Sequence, residues 1–142
     1  MTIPGMLPLP PPPPPLVQRS MYRGDAYVFP VQVFAPPQNA YPDSPSVPAD
    51  ITSWDMYCSL KYTVVDPDNQ AVSQVSKHGG GIVFTLPKSG IALITIPSIA
   101  TLYFPDAVVV VEYDVKAVDD LGNPTTVERG QLAVWPSVTH IV

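Results

Sequence analysis

The sequence predicts an all-β fold, an antiparallel β-sandwich of seven to eight short strands that follows an extended polyproline arm at the N-terminus. Segments rich in Val, Ile, Tyr and Phe recur at spacings of about ten residues and are separated by Pro, Gly and Asp turn signals. No amphipathic pattern of helical period continues for as long as about ten residues. The 142 residues are enough for one ordinary domain and too few for two.

The predicted arm covers residues 1–20, and the predicted domain covers residues 21–142. Proline supplies 20 of the 142 residues, and eight prolines lie before residue 16. Because each proline fixes φ and lacks a backbone N–H, we expect polyproline II, which reaches roughly 55 Å if extended throughout. The arm is therefore predicted to strap neighbouring subunits. Its predicted partner-binding residues are Ile3, Met6, Leu7, Leu9, Pro10, Pro11, Pro12, Pro13, Pro14, Pro15, Leu16 and Val17.

The first half of the domain is expected to contain two main strands. The first covers residues 26–34, and Pro30 within it indicates an edge strand or a bulge, because a central strand needs that N–H. A proline-rich loop over 35–49 leads to the second strand, 56–65, in which apolar residues alternate. Residues 66–69, Asp-Pro-Asp-Asn, are typical of a turn.

Three shorter strands are predicted next, over residues 71–76, 82–86 and 91–96. Gly79–Gly81 and Lys88–Gly90 separate them as turns. A single helical turn is expected to follow over residues 98–102, with Ser98 as its cap.

The longest predicted strand covers residues 108–116 and is apolar on both faces at its start. Such a pattern favours the middle of a sheet that is covered on both sides. A turn over 119–124 then leads to a strand over 125–135 that returns antiparallel. The number and spacing of these strands are typical of an immunoglobulin-like (Ig-like) sandwich.

Charge and composition exclude several classes of function. The net charge is −5 with a pI of about 4.6, so there is no basic face to displace counterions from nucleic acid. An acidic chain likewise gains nothing at an anionic membrane surface. The sequence has no run of about 20 apolar residues and no secretory signal pattern, so we expect a soluble protein.

Few side chains offer chemistry, and each has a structural interpretation. The lone Cys58 excludes an intramolecular disulfide and is predicted to be a buried thiol. His78 and His140 are interpreted as surface residues, so no metal or cofactor site is predicted. The acidic pairs Asp66/Asp68 and Asp119/Asp120 fall in predicted turns, where Asp bonds nearby backbone. The chain is therefore predicted not to be an enzyme.

Three further motifs are interpreted structurally. Gly79–Gly81 is not a phosphate loop, because neither Lys-Ser/Thr nor a helix follows it. Arg23–Asp25 is interpreted as a turn that launches the first strand. Trp54 is expected in the core, whereas Trp135 could pack the sandwich or face a partner.

Several ordered segments resemble a domain of bacteriophage particles. They are Arg23–Asp25, Ala49–Thr52, Ile94–Pro97, Val111–Val115, Asp120–Gly122, Arg129–Val134 and Ser137–Thr139. Over about residues 22–140 the chain is similar to the Ig-like domain of tailed-phage virion proteins, including the N-terminal domain of baseplate upper proteins. The resemblance implies a non-catalytic building block whose edges and termini bind neighbours.

The function expected from the arm and from this resemblance is that of a virion structural protein, assembled in the host cytoplasm. A capsid decoration or cement protein is favoured, with the major capsid protein or other virion subunits as partners and a homo-oligomer, such as a trimer, as its state. A neck, tail or baseplate component is an alternative. A second alternative is an adaptor whose prolines bind a Pro-recognition domain. A third, a sugar-binding sandwich, is favoured only if exposed aromatic residues cluster on one face.

Overall fold

The computed structural model describes residues 16–35, 47–63 and 71–137. This part of the chain contains eight strands and two short 3₁₀ turns, Pro87–Ser89 and Ser98–Ala100. The strands are β1 (Leu16–Tyr22), β2 (Tyr27–Gln32), β3 (Asp55–Lys61), β4 (Ser73–Ser76), β5 (Ile82–Leu86), β6 (Ile91–Ile96), β7 (Val109–Val118) and β8 (Pro124–Trp135).

The strands form two packed sheets. One has five strands in the order β1-β8-β7-β3-β4, and the other has three in the order β2-β6-β5. The β1–β8 pair is parallel, and the other ladders are antiparallel. The chain changes sheet after β1, β2, β4 and β6, which gives the Greek-key connectivity of an Ig-like sandwich. The predicted all-β, Ig-like fold is confirmed.

The core lies between the sheets and follows from the alternation along each strand. Met56, Cys58 and Leu60 of β3 are fully buried, as alternation in the sequence predicted. Ile94 of β6 faces them from the other sheet, also fully buried. Burying a side chain of this size stabilises the fold by roughly 1.5–3 kcal/mol.

Several details of the prediction are confirmed. Strands β5 and β6 have the predicted bounds, β4 pairs antiparallel with β3, and β7 and β8 form the predicted hairpin. β2 is an edge strand, which explains how Pro30 is accommodated there. Ser98 differs from the prediction: the 3₁₀ turn has Pro97 at its cap position, and no side chain caps it.

Strand β1 includes residues 16–20, which the sequence analysis placed in the arm. The sheet therefore begins earlier than the predicted boundary. Residues 1–15 of the predicted arm lie outside the described residues, as do the predicted turn at 66–69, most of the 35–49 loop, and His140.

Strand β7 lies in the middle of the five-stranded sheet, as its apolar start predicted. The prediction that both of its faces are covered there is wrong. Val111 points into the core and is fully buried, whereas Val110 points outward and is 50% exposed. The described residues place no second layer over this outer face.

Candidate functional site

The predicted arm leads directly into β1, so β1 is the part of the candidate site that the structure describes. Leu16 points outward and is 65% exposed, whereas Val17 is half-buried. The other predicted partner-binding residues, from Ile3 to Pro15, lie outside the described residues.

β1 is an edge strand held by a parallel ladder. It pairs with β8 from Leu16 opposite Arg129 to Tyr22 opposite Trp135. On its other side, no strand within the described ranges pairs with it. An unpaired strand edge is a ready template for another chain, and β1 contains no proline to block such pairing.

A glycine in β8 permits this close approach of β1. Gly130 lies opposite Val17, and a Cβ placed on Gly130 would collide with the carbonyl group of Val17. The obstacle is backbone, so no rotation of a side chain would relieve the collision. The position therefore needs glycine for reasons of space, and its φ is not in the left-handed region.

Arg19 of β1 points between the sheets into a set of polar side chains that we call the polar cluster: Arg19, Tyr27, Tyr113 and Glu128. The Arg19 guanidinium donates to both carboxylate oxygens of Glu128, at 2.8 and 2.9 Å. The Tyr113 hydroxyl donates to Glu128 at 2.6 Å, and the guanidinium carbon lies 4.2 Å from the centre of the Phe29 ring. The bidentate geometry makes this pair a specific tie between β1 and β8.

The electrostatics of the polar cluster are those of a structural contact. The hydrogen bond that Arg19 donates to Glu128 is the largest influence on Arg19 and raises its pKa above the ordinary value. Burial, followed by the hydrogen bond with Glu128, raises the pKa of Tyr113. Both groups are therefore held in their ordinary protonation states, Arg19 charged and Tyr113 neutral.

Cys58 is buried and His78 is exposed, as the sequence analysis predicted. Burial is the main cause that raises the pKa of the Cys58 thiol to about 12, so the reactive thiolate does not form near neutral pH. His78 is exposed and lies 2.7 Å from an oxygen of Asp55. Among the residues that the structure describes, no group of His, Cys and acidic side chains has the arrangement of a metal site.

Asp119 and Asp120 form hydrogen bonds that fix the turn between β7 and β8. The Asp119 carboxylate accepts hydrogen bonds from the backbone N–H groups of Leu121 and Asn123, both at 2.9 Å. Asp120 accepts one from the Ser53 hydroxyl at 2.6 Å. This confirms the structural interpretation of the pair, while Asp66 and Asp68 lie outside the described residues.

The outer face of the five-stranded sheet contains a shallow groove of about 220 Å³ beside Leu16. Charges of both signs line it, from Lys61, Glu112, Asp114 and Arg129. The mixture of charges suits a contact surface that carries both signs.

A second surface, which we call the apolar end, lies where β1 and β8 finish and β7 begins. Eight of the fifteen exposed large apolar side chains in the described part of the chain gather there. The topology brings them together because the loops after β1, β3 and β6 all emerge at this end. The eight residues are Tyr22, Tyr62, Ile99, Leu102, Tyr103, Val108, Val110 and Trp135.

Hydrogen bonds fix the loops of the apolar end. The backbone N–H of Arg23 donates to the Trp135 carbonyl at 2.8 Å, and its guanidinium donates to the Phe104 carbonyl at 3.0 Å. The fully buried Thr101 hydroxyl accepts from the backbone N–H of Gly24 at 2.9 Å. The loop after β6 is thus tied to the turn after β1, which the sequence predicted at residues 23–25.

The sequence analysis did not predict the apolar end. Trp135, whose environment was left open, is 49% exposed on it, while Trp54 packs against the core as expected. The apolar residues 108–110 were a detectable signal, but they were interpreted as a strand covered on both sides. Only the assembled loops show that they continue an exposed surface.

No protein-family model matches the chain, and no curated protein matches it. Among solved structures, the chain is similar to the first Ig-like domain of the human CD48 antigen, with 16% sequence identity and a TM-score of 0.33. The match covers 89% of this chain and 88% of that one. No helix in the described ranges is long and apolar enough to cross a membrane.

Proposed function

We propose that this protein is a non-enzymatic structural subunit of a phage virion, a capsid decoration or cement protein whose N-terminal arm straps neighbouring subunits. The virion role is supported by the sequence resemblance to Ig-like domains of tailed-phage particles. The role of the arm as a strap is supported by its proline-rich sequence and by the place where it joins the domain.

The observation that supports the strap most directly is the attachment of the arm to an edge strand. β1 is the outermost strand of the five-stranded sheet, so residues 1–15 join the domain at an edge strand. A neighbour that binds the arm next to Leu16 need not displace another strand of this sheet. A stiff polyproline segment also has little conformational entropy to lose on binding.

The anchoring of β1 suits a strand that transmits a load from the arm to the core. The parallel ladder with β8, the close approach at Gly130 and the Arg19–Glu128 pair all hold β1 to the same neighbouring strand. A strap attached to a weakly held strand would peel that strand from the sheet instead of stabilising the particle.

The proposal is tested by adding the protein back to particles stripped of it. The full chain is compared with an arm variant carrying Met6→Ser, Leu7→Ser and Leu9→Ser. The matched control carries Val28→Ser, Val83→Ser and Leu86→Ser, which remove three exposed apolar side chains from the small sheet. Binding is measured by sedimentation with the particles, and stability by the temperature at which the particles release their genome.

We expect the full chain and the control to bind and to raise the release temperature, and the arm variant to bind at least tenfold more weakly. Failure of the full chain to bind would contradict the proposal. Equal binding by the arm variant would remove the strap from it. In the adaptor alternative, a peptide of residues 1–20 alone suffices to bind a Pro-recognition domain.

A further inference from the structure

We propose that the apolar end of one subunit binds the N-terminal arm of a second copy of this chain, so that subunits associate head to tail. The inference rests on the proposed function in taking the arm as the strap. It adds the surface that receives the arm and the chemistry of the contact.

Two groups of side chains pack together at the apolar end. Tyr22 and Trp135 are register partners on adjacent strands, and with Met21 they line a cavity of about 340 Å³. The Tyr62 ring lies 6.2 Å from that of Phe104, in the loop that also contains the 85% exposed Tyr103. Patches of this kind on a protein surface mark interaction sites.

Hydrogen bonds within the subunit fix the loops of the apolar end in the absence of a partner. Arg23 and Thr101 tie the loop after β6 to the turn after β1, as described above. A pre-formed surface binds without first paying the entropy of ordering its loops. Arg23 also forms an ion pair with Asp106 of the loop after β6, at 3.7 Å.

The arm has the composition that such a surface accepts. Residues 1–15 contain no charged side chain and combine Pro with Ile, Met and Leu. Proline-rich segments in polyproline II dock on surfaces lined by aromatic side chains, since the rigid proline rings pack on Tyr and Trp faces. Half of the eight residues are aliphatic, namely Ile99, Leu102, Val108 and Val110, which favours an apolar segment over a sugar as the occupant. The Tyr hydroxyl groups and the Trp135 N–H would serve either occupant.

The direction of β1 indicates that the bound arm belongs to another copy. β1 runs from Leu16 toward the apolar end, so the arm joins the domain at Leu16, roughly 20 Å along the strand from Tyr22. Six consecutive prolines, Pro10–Pro15, stand in the sequence between Leu16 and the apolar residues 3–9, and each proline fixes φ near −65°. Because such a run disfavours a reversal of the chain, we take a second copy, and not the subunit's own domain, as the acceptor of residues 3–9.

A contact between an arm and an end is heterologous, because the two subunits use different surfaces. Such contacts close into a ring when the rotation between subunits allows it, and otherwise continue as a chain. This property makes a sharp complementation test possible, since a subunit defective only in its arm still offers an intact end.

The test measures self-association of the full chain by sedimentation velocity over a range of concentrations. The arm variant carries Met6→Ser, Leu7→Ser and Leu9→Ser, and the end variant carries Leu102→Ser and Tyr103→Ser. Leu86→Ser with Leu121→Ser is the matched control, because Leu121 is as exposed as Tyr103 but lies at the opposite end. Circular dichroism and thermal unfolding verify that every variant is folded.

We expect the full chain and the control to associate, and each variant alone to associate at least tenfold more weakly. Mixing the two variants is expected to yield a one-to-one dimer, because the arm of the end variant fits the end of the arm variant. A full chain that stays monomeric at all concentrations would overturn the inference. So would an arm variant that associates normally, or a mixture that stays monomeric.

Failure here is distinguishable from failure of the proposed function. Self-association in solution with the complementation pattern, but no binding to particles, leaves the inference standing and removes the virion role. Binding to particles without the complementation pattern does the reverse: the arm then contacts another virion protein, and the inference is wrong.

Discussion

Arg19 and Glu128 lie 109 residues apart in the chain and meet between the two sheets in a two-point ion pair, with N–O distances of 2.8 and 2.9 Å. The pair is mostly shielded from solvent, with 20% of the Arg19 side chain and 14% of the Glu128 side chain exposed. It joins the edge strand that carries the arm to the last strand of the domain. Because both charges are largely shielded from water, removing one leaves the other without its partner and lowers the free energy of unfolding.

Replacing the Glu128 carboxylate tests this dependence. We expect Glu128→Gln to lower the free energy of unfolding by about 2–3 kcal/mol, because the Arg19 charge is left without its partner. Glu112→Gln is the matched control on the outer face, with an expected change below about 0.5 kcal/mol. Urea unfolding followed by far-ultraviolet circular dichroism measures both. Equal effects of the two substitutions would contradict the role given to the pair.

Gly130→Ala tests the close approach of β1 to β8. The added methyl group meets the Val17 carbonyl, so we expect β1 to be displaced and the free energy of unfolding to fall by about 1–3 kcal/mol. Hydrogen exchange is the direct measurement, since the backbone amides of β1 that donate to β8 should lose at least tenfold protection. Gln131→Ala, the next residue and outward-facing, is the control. Unchanged protection in Gly130→Ala would show that the strand has room to spare.

The buried thiol predicts how stability depends on alkaline pH. The pKa of Cys58 rises from 9.0 to about 12 on folding, so the unfolded chain loses its proton first as the pH increases. Stability contributed by this group is full below pH 9 and falls between pH 9 and 12, by up to about 1.4 kcal/mol per pH unit. Burial likewise raises the pKa of Tyr113, which steepens the fall above its ordinary value near 10.

The measurement is the urea midpoint at pH 8 and at pH 10.5. Cys58→Ala is expected to be less stable than the natural chain at pH 8, because it leaves a cavity, but to lose less stability between the two pH values. A thiol reagent at pH 8 should label Cys58 only after denaturation. Rapid labelling of the folded protein would contradict the burial on which this prediction depends.

Thr101→Val tests how the apolar end is fixed. Valine has nearly the same shape, but the Gly24 N–H loses the hydroxyl that accepts its hydrogen bond, and we expect a loss of about 1–3 kcal/mol. Thr101→Ser keeps the hydroxyl and is the control. Unfolding free energies compare the two, with tryptophan fluorescence as a second probe of this end. A Val variant as stable as the Ser variant would show that the bond contributes little.

The strands of the interior were predictable because each displays its burial locally. Met56, Cys58 and Leu60 alternate with more polar residues in the sequence, so one face of β3 could be assigned to the core. Pro30 indicated an edge strand for a similar reason, since a missing N–H excludes a central position.

Strand β1 was not predictable by the same reasoning. Its inward positions are Val17, Arg19 and Met21, and a charged residue in the middle breaks the apolar alternation. Arg19 is acceptable inside only because Glu128 lies beside it, and that partner comes from the far end of the chain. Gly130 is similar, because its requirement for a small residue depends on where the Val17 carbonyl lies.

The sequence by itself determined the β-class, most strand positions and the structural nature of Cys58, because these depend on backbone propensity and on periodicity along one segment. Only the tertiary structure decided that β1 belongs to the sheet and that Arg19 has a partner. It also decided that eight exposed apolar residues from five separate segments lie at the same end of the sandwich. Such features depend on distances between residues remote in sequence, and those distances are set by how the two sheets pack and where their loops emerge.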